Sequence, residues 1–119
     1  MKNNQTRKPF KKNISEIPVE EAHGGNGKRK LILSTKDSIS NQLHAMTKGF
    51  LAVNGCFDWH EHEDIDEFFL VIKGMGIVEF EDGTTMEYKT EDIIYMSSNL
   101  KHKITAQEDS EFFFMRIND

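Results

Sequence analysis

From residue 49 onward, turn-forming residues divide the chain into short apolar segments, which leaves little room for a helix. The apolar segments are three to seven residues long, and turn signals recur about every 8–12 residues. The turn signals are Asn54-Gly55, Gly74 with Gly76, and Asp82-Gly83. Short strands at such spacing are typical of a β-sandwich or β-barrel, so we predict an all-β fold without an amphipathic helix after residue 47.

The predicted strands follow the apolar segments. They cover residues 30–33, 50–53, 67–72, 77–80, 86–88, 92–96, 102–106 and 111–117. The segment 34–46 leaves two structures open. Ile39, Leu43 and Met46 have helical spacing, but the serine and asparagine residues among them are poor helix formers, so a strand with one polar face is equally compatible.

The length of 119 residues and the hydrophobic fraction of 37% fit one small globular domain. We predict that residues 1–27 form an irregular, partly flexible N-terminal arm and that residues 28–119 form a single barrel domain. The first dozen residues are basic, which we interpret as a solvated tail. An arm that contacts an anion or a membrane is the alternative, although nothing amphipathic supports it. The basic residues are Lys2, Arg7, Lys8, Lys11 and Lys12.

Charge and cysteine content restrict the partners and the compartment. The formal net charge of −5 disfavours nucleic-acid binding, which needs a basic surface. The single cysteine, Cys56, allows no internal disulfide and fits a reducing compartment. No apolar run approaches the roughly 20 residues of a membrane span, and no secretory signal is recognisable. We therefore expect a cytoplasmic protein without a nucleic-acid or membrane partner.

Residues 59–67, with the sequence WHEHEDIDE, concentrate the side chains that bind metal ions. Alternate residues of a strand share a face, so His60 and His62 would project together. Four residues separate His62 from Glu67, which begins the next strand, and antiparallel pairing with the first strand would return its carboxylate to the imidazoles. His102, with Ile104 on the same face of a later strand, is the candidate fourth ligand. This donor set suits one divalent Fe, Mn, Ni, Co, Zn or Cu ion, with positions open for water or substrate.

The same residues resemble the cupin superfamily. Its first motif is matched by Gly55, His60 and His62, then four residues, Glu67, six residues and Gly74. In the second motif only His102 is retained, with Glu91 and Asn99 at glycine positions, and Asn99 tolerates the left-handed conformation that glycine would supply. The resemblance covers about residues 50–117. It implies a jelly-roll barrel, usually a homodimer, with the metal inside the barrel mouth.

Strand periodicity also predicts which face several other side chains take. Phe69 and Val71 should share the inner face with Glu67, and the opposite face of that strand is apolar enough to need cover from another sheet or a partner subunit. Arg116 should face outward, as arginine normally does. The aromatic and thioether side chains that could line a pocket above the metal are Phe57, Trp59, Phe69, Tyr95 and Met115.

Three functions are compatible with this sequence. The first is a metal-dependent enzyme acting on a small polar molecule, of isomerase, epimerase, lyase or dioxygenase type. The second is a non-catalytic module that binds or senses a small ligand, and the third is a metal-free structural barrel. No general base is evident beside the ligands. By nearness in the sequence alone, the candidates are Asp58, Glu79, Tyr95 and Lys103.

Overall fold

The structure, a computed structural model, describes residues 8–22 and 26–119. In this part of the chain it contains ten strands and two short 3-10 helices, so the all-β prediction is confirmed. Residues 1–7 of the predicted arm lie outside the described ranges. The 3-10 helices span Ile14–Glu16 and Thr35–Asp37. The strands are β1 Glu20–Ala22, β2 Gly27–Ser34, β3 Leu43–Leu51, β4 Cys56–His60, β5 Ile65–Lys73, β6 Met75–Phe80, β7 Thr85–Lys89, β8 Ile93–Met96, β9 His102–Ala106 and β10 Ser110–Asn118.

The strands form the two antiparallel sheets of a jelly-roll barrel. The larger sheet has the order β1-β2-β3-β10-β5-β8, and the smaller has the order β4-β9-β6-β7. The core fills the space between them, because residues of alternating parity face inward along each strand. On β10, for example, Phe112 and Phe114 are buried, whereas Phe113 is half-buried on the outer face. The Phe114 ring stacks on Phe69 of β5 with centroids 5.2 Å apart.

The ambiguous segment 34–46 becomes a 3-10 turn followed by the start of a strand. Ser34 caps the turn by accepting a hydrogen bond from the Lys36 amide, and the Asp37 carboxylate accepts one from the Ser34 amide. Ser38 then takes a left-handed conformation with φ of 55°, which ends the helical turn. Strand β3 begins at Leu43, since pairing with both β2 and β10 stabilises the extended chain.

The described part of the N-terminal arm lies against the barrel. Strand β1 pairs antiparallel with β2. Before it, Lys12 contacts the Asp37 carboxylate at 2.8 Å and donates a hydrogen bond to the Ile32 carbonyl, also at 2.8 Å. This lysine of the basic segment is therefore tied to the barrel. The division into an arm and a barrel domain stays a prediction.

Two residues that replace glycines of the second cupin motif adopt the backbone conformation that glycine favours. Asn99 has φ of 64°, as its side chain allows, and Glu91 has φ of 77°. Glu91 lies between β7 and β8, where its amide donates to the Val71 carbonyl at 2.9 Å. Both turns therefore adopt a positive φ without glycine. No helix in residues 8–22 and 26–119 has the length and apolarity needed to cross a membrane.

We predict that Gly74→Ala destabilises the protein by about 2–4 kcal/mol. Gly74 has φ of +105°, and an added Cβ would lie 2.2 Å from the Ser110 hydroxyl oxygen. Gly83 is a matched control, because its φ is +92° and nothing lies within 4 Å of the added Cβ. Gly83→Ala should cost only the backbone strain, about 1 kcal/mol. Chemical denaturation measures both, and equal losses would contradict the steric explanation.

Candidate metal site

Glu67 is brought to the histidines by the closure of the barrel. Antiparallel pairing of β4 with β5 was one way to return the carboxylate to the imidazoles, but it does not occur: β4 pairs with β9 in the smaller sheet, while β5 lies between β10 and β8 in the larger one. Glu67 points inward from β5 and is 1% exposed. Its carboxylate therefore meets the imidazoles across the space between the two sheets.

His60 and His102 are held side by side by the pairing of β4 with β9. Phe57 pairs with Ile104 and His60 pairs with His102, so an advance of three residues along β4 corresponds to an advance of two along β9. This irregularity lets both Phe57 and His60 face inward. The ring centroids of His60 and His102 are 4.4 Å apart. His102 is 2% exposed and shares the inner face with Ile104, as the sequence predicted.

His62 lies just after β4, in a loop that a neighbouring loop holds in place. The Asn99 amide donates to the His62 carbonyl at 3.1 Å, and the Asp64 amide donates to the Asn99 side-chain oxygen at 3.2 Å. The rings of His60 and His62 lie 5.2 Å apart, so the His-x-His pair projects toward the same region. The left-handed Asn99 thus fixes the loop that carries one candidate ligand.

The ligand atoms of His60, His62 and Glu67 all lie within 4.8 Å of one another. The Glu67 Oε1 atom is 3.6 Å from Nε2 of His62 and 3.6 Å from Nε2 of His102. Two atoms bound to one ion at 2.0–2.2 Å are roughly 3–4 Å apart, so the two separations of 3.6 Å fit a shared ion. The ring centroid of His102 is 4.4 Å from that of His60 and 6.3 Å from that of His62, so His102 lies nearer to His60.

Two atoms of the site that could bind a metal are buried and make no hydrogen bond with a described residue. They are Oε1 of Glu67 and Nε2 of His102. Buried polar atoms are normally satisfied, and a cation at this point would satisfy both. The Nδ1 atoms of His60 and His102 lie 2.6 Å and 3.4 Å from the carbonyl oxygens of Asp58 and Leu100. Donation from Nδ1 leaves the Nε2 lone pair for a metal, as in many metal sites.

The protonation states also suit a metal ion. Burial disfavours the charged imidazolium, which lowers the pKa of His60 and brings that of His62 from 6.5 to about 4. Burial would raise the pKa of Glu67, but the His102 ring and the Arg116 guanidinium outweigh it and lower that pKa from 4.5 to about 2. At neutral pH the site therefore offers neutral imidazoles at His60 and His62 and a charged carboxylate at Glu67.

Arg116 faces the site, and our expectation that it points outward was wrong. It is 6% exposed, and its Nε donates to Oε2 of Glu67 at 2.7 Å. The two residues are direct partners in the pairing of β10 with β5. Because buried Phe112 and Phe114 have the same parity as Arg116, the register turns the arginine inward, and the buried carboxylate compensates its charge. The inward parity of the phenylalanines was the signal that could have revealed it.

A small cavity adjoins the site, with room for about one water molecule. Its polar lining includes His60, Glu67, Arg29 and Arg116, and its apolar lining includes Phe57, Ile104 and Phe114. Phe57 was among the side chains expected to line a pocket.

The four other expected lining residues are not among those that line this cavity. Phe69 is buried in the core, and Trp59 lies 43% exposed beside a surface groove. Tyr95 is 56% exposed, and its hydroxyl donates to Asp66 at 2.8 Å. Met115 takes the outer face of β10 because its neighbour Arg116 faces inward.

Comparisons with known proteins agree with the fold. The family model described as "Cupin domain" matches residues 50–117, more than half of the chain. A Bacillus subtilis (strain 168) protein described as "Uncharacterized protein YdbB" is 35% identical over 49 residues. That match covers 41% of this chain and 43% of the relative, so it spans less than half the length of the curated relative.

Solved structures share the architecture at low sequence identity. A predicted oxalate decarboxylase from Thermotoga maritima has a TM-score of 0.78 at 24% identity, covering 90% of this chain and 97% of that one. An ectoine synthase from P. lautus has a TM-score of 0.79 at 15% identity, covering 92% and 78%. At these identities the likeness is one of fold.

We predict that the chelator-treated protein loses stability as the pH falls from 6.5 toward 4. The folded-state pKa of His62 is about 4, below its ordinary 6.5, so unfolding takes up a proton in this window. The stability is complete above pH 6.5 and decreases below it. Urea unfolding at a series of pH values measures the slope, which should be shallower in His62→Gln. The same slope in both proteins would contradict the assignment.

Proposed function

The chain belongs to the cupin family, and from this premise we propose that it binds one divalent transition-metal ion and is a metal-dependent enzyme acting on a small polar molecule. The proposed ligands are His60, His62, Glu67 and His102. The observation that carries the proposal is the buried Oε1 of Glu67, placed 3.6 Å from two imidazole Nε2 atoms. Fe, Mn, Ni, Co, Zn and Cu all accept this donor set.

The residues of the chain would have separate roles at such a site. The histidines and Glu67 hold the ion, and Arg116 orients the carboxylate. Phe57, Ile104 and Phe114 form an apolar wall that limits water. A bound divalent ion would supply Lewis acidity toward an oxygen of the substrate. Isomerase, epimerase, lyase and dioxygenase chemistry all accord with this arrangement, as does a small-molecule partner.

One observation favours a second function, a non-catalytic module that binds or senses a small ligand. None of the candidate bases in the described chain is among the residues that line the cavity. The Asp58 carboxylate instead accepts a hydrogen bond from the Trp59 amide at 2.8 Å. Turnover assays of the metal-loaded protein on small hydroxy- and oxo-acids, with oxygen uptake recorded for the Fe(II) form, separate the two. Ligand binding without turnover across the panel would favour the module.

We also propose that the protein is a homodimer, formed through the outer face of the larger sheet. This face carries Leu70, Ile93 and Ile117, which are 39%, 68% and 36% exposed. Leu70 and Ile93 are direct partners in the pairing of β5 with β8, and exposed apolar side chains grouped on a sheet favour an interface. A cytoplasmic location is a further proposal and rests on the single cysteine.

We predict that His102→Ala weakens metal binding by more than about 100-fold. Loss of a residue that only hydrogen-bonds to a ligand typically costs about 10–100-fold, and the loss of a ligand itself should exceed this. His44→Ala is the matched control, because His44 is half-buried on β3 and its parity is opposite to that of the inward-facing Ala45 and Thr47. Elemental analysis and calorimetric titration with Zn(II), Co(II) and Mn(II) measure the loss. A variant that binds these ions as tightly as the wild type would remove His102 from the ligand set.

We predict that the double variant Leu70→Lys/Ile93→Lys is monomeric. The two residues are direct partners in the pairing of β5 with β8, so the substitutions place two like charges at one point of the proposed interface. Met86→Lys on the smaller sheet, where Met86 is 41% exposed, is the control. Sedimentation equilibrium gives the mass of each. A monomeric wild type, or a dimeric double variant, would contradict the proposed interface.

A further inference from the structure

The pairing of Arg116 with Glu67 separates the roles of the two carboxylate oxygens. Oε2 accepts the hydrogen bond from the Arg116 Nε at 2.7 Å. Oε1 has no hydrogen bond from a described residue and lies 3.6 Å from the Nε2 atoms of His62 and His102. One oxygen is thus held by the protein, and the other is directed to the point where the imidazoles converge.

The position of Arg116 suits the task of fixing this carboxylate. Both side chains are almost fully buried, at 6% for Arg116 and 1% for Glu67. They are direct partners across adjacent strands, so the backbone register sets their separation. Within residues 8–22 and 26–119, the bond to Glu67 is the one hydrogen bond that this guanidinium makes. A buried charge–charge hydrogen bond of this length holds its partner more firmly than a neutral one.

We propose that Arg116 is a positioning residue that makes Glu67 a one-oxygen ligand and thereby sets the affinity of the metal site. The proposal rests on the metal-binding function proposed above, and it adds a role to a residue that does not itself contact the ion. A carboxylate free to rotate can bind a divalent ion through one oxygen or two. Arg116 occupies Oε2, which leaves only Oε1 for the ion and prepares its direction before the ion arrives.

Arg116→Lys separates geometry from charge. Lysine keeps the positive charge beside the site but lacks the planar guanidinium that fixes a carboxylate. Arg29→Lys is the matched control, since Arg29 lines the same cavity but pairs with Glu20 at 2.8 Å rather than with a ligand. Because outer partners of metal ligands typically contribute 10–100-fold in affinity, Arg116→Lys should weaken Co(II) binding by about that factor. Arg29→Lys should change it by less than about 3-fold.

A double-variant cycle tests whether Arg116 acts through Glu67. If it does, Arg116→Lys should alter Co(II) affinity by less than about 3-fold in a Glu67→Gln background. A purely structural role would cost the same in both backgrounds. The visible absorption of bound Co(II) gives a second readout, because release of Oε2 changes the ligand field in the single variant. Near-UV circular dichroism of the metal-free proteins establishes folding, and Arg116→Gln replaces Arg116→Lys if the latter does not fold.

The outcomes are distinct. Loss of affinity in Arg116→Lys that vanishes in the Glu67→Gln background supports the proposal. Unchanged affinity, or equal losses in both backgrounds, overturns the positioning role and leaves the metal site standing. Failure of the wild-type protein to bind Co(II), Zn(II) or Mn(II) overturns the metal site itself, and the role of Arg116 with it.

Discussion

The burial of the Glu67 carboxylate is the constraint on which the rest of the site depends. A charge that is 1% exposed must be compensated within the protein, because water cannot reach it. Arg116 satisfies one oxygen, and the imidazoles of His62 and His102 surround the other. The carboxylate therefore links β5 and β10 of the larger sheet to β9 and the loop after β4. Closure of the barrel and assembly of the site are in this sense one event.

The local features of the fold were readable from the sequence. Turn residues and two-residue periodicity predicted the strands β5 to β10, and the positions of Glu67, Phe69 and Val71 on one inner face are confirmed. Asn99 adopts the left-handed conformation that its side chain was expected to tolerate. These features depend on residues close together in the chain, where backbone sterics and strand periodicity decide the outcome.

The features that the sequence did not reveal depend on contacts between distant segments. The separation of β4 and β5 into different sheets follows from pairing with β9 and β10, which no local pattern specifies. The irregular step between Phe57 and His60 has the same origin. The usual preference of arginine for solvent predicted an outward-facing Arg116, whereas its register opposite Glu67 turns it inward. The end of segment 34–46 became the start of β3 because both β2 and β10 pair with it.

We propose above all that His60, His62, Glu67 and His102 bind one divalent ion together. A crystal structure of the protein soaked with Co(II), with anomalous diffraction recorded on both sides of the cobalt absorption edge, tests this directly. We expect a single anomalous peak between the two sheets, about 2.0–2.2 Å from an imidazole nitrogen of each histidine and from Oε1 of Glu67. A peak elsewhere, or none among these side chains at saturating Co(II), would contradict it.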